Sequence, residues 1–165
     1  MTHPEALPLA DNGAGFPNSP LPLLVYRDVL PADAVAQEAA FARYGWSHAW
    51  RDGIFGYHHF HSIAHEVLGL AAGEVSVEFG GPAGRVLTLR AWDVAVIPAG
   101  VAHRNAGQSP NLLVVGAYPA DGDYDLRRGD PREREAVLRA IAAVPRPEQD
   151  PVLGPGAGLC RLWAA

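Results

Sequence analysis

The stretch that most constrains this chain runs from Gly53 to Gly73, Gly-Ile-Phe-Gly-Tyr-His-His-Phe-His-Ser-Ile-Ala-His-Glu-Val-Leu-Gly-Leu-Ala-Ala-Gly, and holds four of the seven histidines. Alternate residues of a strand share a face, so His59 and His61 aim two imidazoles at one point. Glu66 follows five residues after His61, far enough for a bend to return a carboxylate to that point. His103 comes after Pro98-Ala-Gly100, a turn in which proline fixes φ and glycine accepts a left-handed backbone. Three imidazoles and one carboxylate suit a divalent first-row transition metal: iron, manganese, nickel or zinc. His58 and His65 are off this parity and read as second-layer or surface groups.

Around this stretch the chain reads as strand after strand. Segments 54–61, 65–71, 74–79, 85–90, 93–97 and 111–118 are each bounded by glycine, proline or a polar cluster, the pattern of a sandwich or barrel. Val75, Val77 and Phe79 alternate with Glu74, Ser76 and Glu78, which marks a strand with one buried and one wet face. Gly80-Gly-Pro-Ala-Gly84 lies between strands and opens no helix, so it reads as a hairpin turn and not as a phosphate loop.

Residues 1–20 carry Pro4, Pro8, Pro17 and Pro20 and read as an extended arm. Leu21–Tyr26 reads as a short strand that Pro22 pushes toward a sheet edge. A helix is expected over 34–44, ended by Gly45, and a second over about 131–143, opened by Asp130-Pro131 and ended by Pro145 and Pro147. Between them 119–130 is a polar, turn-rich loop long enough to cover a cavity mouth, and the tail to Trp163 is expected to pack back as an extended segment. Trp46 and Trp50 read as core or rim packing. At 165 residues the chain fits one domain, here 21–165 with a barrel core over about 50–120.

The spacing Gly53-x5-His59-x-His61-x4-Glu66-x6-Gly73 resembles the first motif of the cupin superfamily at every defined position. The second cupin motif is met by Pro98-Ala-Gly100-Val-Ala-His103; Trp92 stands at its opening glycine and Gly107 at its closing asparagine. The resemblance includes a subgroup of uncharacterised bacterial cupins in which a double histidine, here His58-His59, precedes Phe-His. It implies a mainly all-β, antiparallel jelly-roll barrel with one N-terminal and one C-terminal helix, and one divalent ion held by His59, His61, Glu66 and His103. Cupins include dioxygenases, isomerases, epimerases, decarboxylases, storage proteins and sugar-binding regulators, so the fold alone does not choose a reaction.

Four protein ligands on an ion that accepts five or six leave one or two positions for water or substrate. A metal-dependent enzyme acting on a small oxygenated molecule, by dioxygenase-like or isomerase-like chemistry, is therefore the first expectation; a non-catalytic module that binds a sugar or organic acid is the alternative. Strand parity puts Phe55 and Tyr57 on the histidine face, and Asn105 near the second motif, as cavity lining. Tyr57, His58 and Tyr124 are the candidates for a general acid or base. Arg90 and Arg104 are candidates to orient an acidic group of a substrate.

All 13 basic residues are arginines, scattered through a chain of net charge -5, which gives no basic stripe for nucleic acid or an anionic membrane. The N-terminal residues lack a basic start and apolar run, no apolar stretch is long enough to span a membrane, and Cys160 is single, so the expected compartment is the cytoplasm. Exposed sheet edges, in the arm or at Leu21–Tyr26, predict a homodimer.

Overall fold

The computed structural model describes residues 3–120 and 122–164. Nine strands form two antiparallel sheets: β1 (Glu5–Leu9), β2 (Ser19–Tyr26), β3 (Trp46–Asp52), β4 (Glu66–Ala72), β5 (Glu74–Phe79), β6 (Arg85–Arg90), β7 (Val94–Ile97), β8 (His103–Gln108) and β9 (Leu113–Pro119). The large sheet has the order β1-β2-β7-β4-β9-β3 and the small one β6-β5-β8. Helix α1 (Ala34–Arg43) precedes β3 and α2 (Arg134–Ala143) follows β9. This is the mainly β, antiparallel jelly-roll class expected from the sequence. Among the described residues no helix is long and apolar enough to cross a membrane.

The two sheets bury their facing sides against each other. Leu23, Val25, Leu68, Leu70, Ala95 and Val114 of the large sheet meet Val75, Val77, Phe79 and Leu89 of the small one. The outer side of the large sheet is also covered: Val67, Val94, Val96, Val115 and Ala117 pack under Phe41 of α1, Trp46 and the tail residues Leu159 and Trp163. A strand covered on both sides is apolar throughout, as β7 is with Val94-Ala-Val-Ile97 all buried. The small sheet has a wet outer face, and β5 alternates accordingly. Gly69 lets α1 come close, since a Cβ there would stand 2.5 Å from Gln37 Oε1 and 3.0 Å from Phe41.

The tail carries more structure than the sequence suggests: a two-residue pairing of β10 (Gln149–Asp150) with β11 (Gly154–Pro155), then the short helix α3 (Leu159–Leu162). The expected arm is partly a strand, because β1 pairs with β2 and accommodates Pro8 at a register shift between Leu7 and Leu9. Residues 1–2 of that arm lie outside the described residues. The edge position expected for Leu21–Tyr26 is overturned, since β2 has β1 on one side and β7 on the other. Pro22 is accommodated there because pairing with β7 begins only at Leu24.

The expected strand over 54–61 is also corrected. That segment makes only two isolated bridges, His59 with His103 and Phe60 with Arg127. The backbone is nonetheless fixed: His59 and His103 exchange both N–H···O=C bonds (3.2 and 2.9 Å), and Gly100 N–H donates to His61 O at 2.8 Å. These bonds carry the two halves of the histidine pattern to one place.

Candidate metal centre

His59, His61 and His103 are buried, and one ring nitrogen from each lies within 4.8 Å of the others. Glu66, at the start of β4, places Oε2 3.4 Å from His61 Nε2 and Oε1 3.3 Å from His103 Nε2. Donors held about 2.1 Å from one ion stand roughly 3 to 3.4 Å apart. The same separations are long for a charge-assisted hydrogen bond, which closes to about 2.7–2.9 Å.

The orientation of the rings is set by their outer nitrogens. His59 Nδ1 faces the Tyr57 carbonyl at 3.0 Å, His103 Nδ1 faces the Val101 carbonyl at 3.1 Å, and His61 Nδ1 faces the Asp125 carbonyl. A carbonyl only accepts, so each Nδ1 carries the hydrogen and each neutral imidazole turns the Nε2 lone pair inward. Three inward lone pairs beside a carboxylate repel one another unless a cation or added protons stand between them. The donor set therefore fits a divalent transition ion.

Electrostatics point the same way. Burial and the neighbouring His103 push His59 down to about 3, so its imidazole is neutral at ordinary pH and its Nε2 lone pair is available to a ligand. For His61, burial is opposed by Glu66 and the Asp125 carbonyl, which hold it above its usual value. For Glu66, burial is outweighed by His61 and His103, which hold the carboxyl far below the ordinary range. The pocket thus demands positive charge beside Glu66.

The loop after β9 supplies the support for His61. The Asp125 carboxylate accepts the Ser62 N–H at 2.6 Å, the Ser62 hydroxyl and Arg127 Nε at 2.9 Å, while the Asp125 carbonyl takes the His61 ring proton. Burial would raise the Asp125 carboxyl, but Ser62 and Arg127 hold it below its usual value.

A cavity of ≈ 780 Å³ opens onto the cluster, lined by His59, His61, Glu66 and His103 together with Trp50, Phe55, Tyr118, Tyr124, Leu126 and other side chains. Trp50 lies over Gly116, where any Cβ would come within 2.1 Å of the indole, and its Nε1 donates to the Tyr118 hydroxyl at 3.0 Å. Tyr118 is pushed well above its ordinary value by burial and by Glu66, so it stays protonated.

Of the residues expected from sequence, the structure brings His59, His61, Glu66, His103, Phe55 and Tyr124 to this cavity. Tyr57 lines a separate outer pocket with His58, Arg104 and Arg128, because the backbone is irregular there and strand parity fails. His58 Nε2 turns to Glu78 at 3.6 Å, away from the histidine cluster. Asn105 bonds Gln108 instead of lining the cavity, and Arg104 pairs with Glu78 on β5. His65 points to the other side of the sheet, accepting the Ala99 N–H at 2.9 Å and packing on Trp163. Trp50, Tyr118, Asp125 and Leu126 are site residues that the sequence pattern does not single out.

No protein-family model matches the chain. It is 40% identical over 149 residues to the uncharacterized protein YjlB of Bacillus subtilis (strain 168), with 90% of each chain covered. Among solved structures it is similar to dTDP-4-dehydrorhamnose 3,5-epimerase from Elizabethkingia anophelis NUHP1, with a TM-score of 0.45 and 12% identity over 74% of this chain and 76% of that one. It is also similar to an uncharacterized conserved protein with a double-stranded β-helix domain from Klebsiella pneumoniae subsp. pneumoniae MGH 78578, with a TM-score of 0.34 and 17% identity over 76% of this chain and 80% of that one. Similarity to the 11S allergen of Cocos nucifera, with a TM-score of 0.38 and 19% identity, covers 56% of this chain and only 31% of that one.

Proposed function

The chain belongs to the same family as YjlB of Bacillus subtilis, and we propose that it holds one divalent transition metal through His59, His61, His103 and Glu66 and acts as a metal-dependent enzyme on a small oxygenated organic molecule. The observation that carries this reading is the set of three Nδ1–H···O=C bonds, which turns three Nε2 lone pairs onto one carboxylate-lined point. A bound metal supplies Lewis acidity toward an oxygen of the substrate and, if it is iron, a place for dioxygen.

The chain's own residues do the rest. Trp50 donates to the Tyr118 hydroxyl, so the phenol proton is free to be directed at Glu66 or at a substrate oxygen. The apolar walls, Leu68, Leu112, Leu113 and Leu126, exclude water around the ligand. Asp125 keeps His61 in its ligating tautomer.

One observation favours a second reading. Apart from the ligands themselves, the ionisable side chain next to Glu66 is Tyr118, whose raised proton affinity makes it a poor base at neutral pH. A binding module that grips a sugar or organic acid through the metal needs no such base. Anaerobic loading with iron(II), followed by oxygen-uptake measurements with small thiols, diols and aromatic acids, separates the readings. Substrate-dependent uptake identifies a dioxygenase; bound metal with neither uptake nor isomerised product supports the binding module; failure to bind any divalent ion overturns both.

A further inference from the structure

Two stacked pairs of aromatic rings flank the histidine cluster, one against each histidine of the first motif. Phe55 and Tyr57 stack at 4.9 Å and 11°, and both stand edge-on to His59, at 5.2 and 5.7 Å. Tyr118 and Tyr124 stack at 4.5 Å and 13°, and both stand edge-on to His61, at 5.8 and 5.2 Å. The loop after β9 braces both: Tyr124 belongs to it, and Arg128 lays its guanidinium over the outer face of Tyr57, 3.6 Å from the ring centroid.

Phe55, Tyr124 and Leu126 line the cavity yet remain 53%, 50% and 44% exposed. Large apolar side chains gathered half-exposed around one opening mark a surface that gains free energy when covered. Because the rings are stacked in advance, covering them costs little ordering entropy. The charges around the opening are already engaged. Arg51, the one arginine among the lining residues, pairs with Glu38, and Asp52 accepts the Gly53 N–H. An anionic group on a ligand therefore has the metal alone to meet, and the remainder of the ligand meets aromatic faces.

We propose that this cavity takes a planar aromatic molecule whose ring carries no charged group and which bears one or two oxygen donors, with the oxygens at the histidine cluster and the ring against Phe55 and Tyr124. This rests on the metal-site reading above. Aromatic faces distinguish a flat π-system from a saturated ring of the same size through offset or edge contacts, whereas a merely greasy pocket does not.

The test uses the full-length chain loaded with zinc, its metal content measured before and after titration. Two probes share one metal-binding head and differ only in the ring: benzohydroxamic acid and cyclohexanecarbohydroxamic acid. Calorimetry should give at least tenfold tighter binding of the benzo compound. Phe55→Leu and Tyr124→Leu, each checked for an unchanged melting curve, should each remove most of that preference. Equal affinities within twofold on zinc-loaded protein, or a preference that both variants leave intact, overturns the aromatic assignment while the metal site stands. A chain that retains no zinc overturns the metal-site reading, and this inference falls with it.

Discussion

Glu66 and Asp150 are both buried carboxylates, 3% and 0% exposed, and the chain keeps them by opposite means. Asp150 is surrounded by donors: Val152 and Leu153 N–H at 2.8 Å, Leu159 N–H at 2.9 Å and the Tyr26 hydroxyl. Burial and the charge of Asp150 push Tyr26 far above its ordinary value, so the phenol keeps its proton and goes on donating. Glu66 is surrounded by nitrogens whose hydrogens have been spent elsewhere, on the carbonyls of Tyr57, Val101 and Asp125. A carboxylate supplied with its own donors is a structural fastener, and one faced by lone pairs is a receptor for a cation. The first pins the C-terminal tail to the outer face of the large sheet; the second faces a cavity.

The sharpest way to break this comparison is to remove each carboxylate. Asp150→Ala leaves three backbone N–H groups and a phenol without an acceptor, and should cost about 3–5 kcal/mol of stability in denaturant titration. It should leave the metal affinity of the folded fraction unchanged. Glu66→Gln should do the reverse. Metal-free protein should stay within about 1–2 kcal/mol of the parent, because glutamine fills the same space and keeps a polar group among the imidazoles, while zinc or nickel affinity falls about 100-fold or more, on the order of 3 kcal/mol. A Glu66→Gln chain that unfolds like Asp150→Ala would erase the distinction.

His65 lies between the two cases and sharpens them. Its Nδ1 takes the Ala99 N–H, but its Nε2 has no partner among the described residues. Burial pushes it down to about 4 from 6.5, and the Pro145 carbonyl, which lies outside hydrogen-bonding geometry, opposes only part of that fall. Its folded value lies below the unfolded one, so its neutral form contributes stability above pH 6.5 that is lost as pH falls toward 4. The expected loss is about 3 kcal/mol across that window, and His65→Gln should flatten that part of the stability curve of metal-free protein. An unchanged slope would show that the imidazole finds a partner.

The smallest effect is expected at Asp125, which supports His61 of the histidine cluster at one remove. Asp125→Ala loosens the loop whose carbonyl holds His61 and should weaken metal binding about tenfold, with stability changing by no more than about 1–2 kcal/mol. Equilibrium dialysis against a competing chelator reads the affinity. No change there would detach the loop from the site.

How much of this was legible beforehand depended on how local the signal was. The β5–β6 hairpin follows from the alternation Val75, Val77, Phe79, because that face is buried and the other wet, and its register runs unbroken from Glu74↔Arg90 to Phe79↔Arg85. The histidine cluster was legible through the spacing of its side chains, although the strand reasoning behind His59 and His61 was wrong over most of 54–61. What aligns them is the paired exchange with His103 and the bond from Gly100. Where that local order ends, the parity argument ends too, and Tyr57 leaves the cavity.

Strands β3 and β8 went unread for a physical reason. Both are edge strands with polar, exposed positions, and β3 is broken by a register shift between Ser47 and Trp50. Trp50, Tyr118 and Asp125 reach the site from β3, β9 and the following loop, contacts that no spacing within a short window records. The departure at Trp92 was legible as a mismatch but not in its effect. The residue keeps the left-handed backbone that a glycine favours, with φ of 83°, and bonds Val29 N–H through its carbonyl.

The central claim is that the histidine cluster is a receptor for one cation, and its most direct test is the metal content of the untagged full-length chain beside that of His61→Ala/His103→Ala. One equivalent of a divalent transition metal is expected in the parent, bound or readily taken up, and none retained by the double variant after dialysis. A full equivalent kept by the double variant, or a parent that takes up no metal at neutral pH, would contradict it.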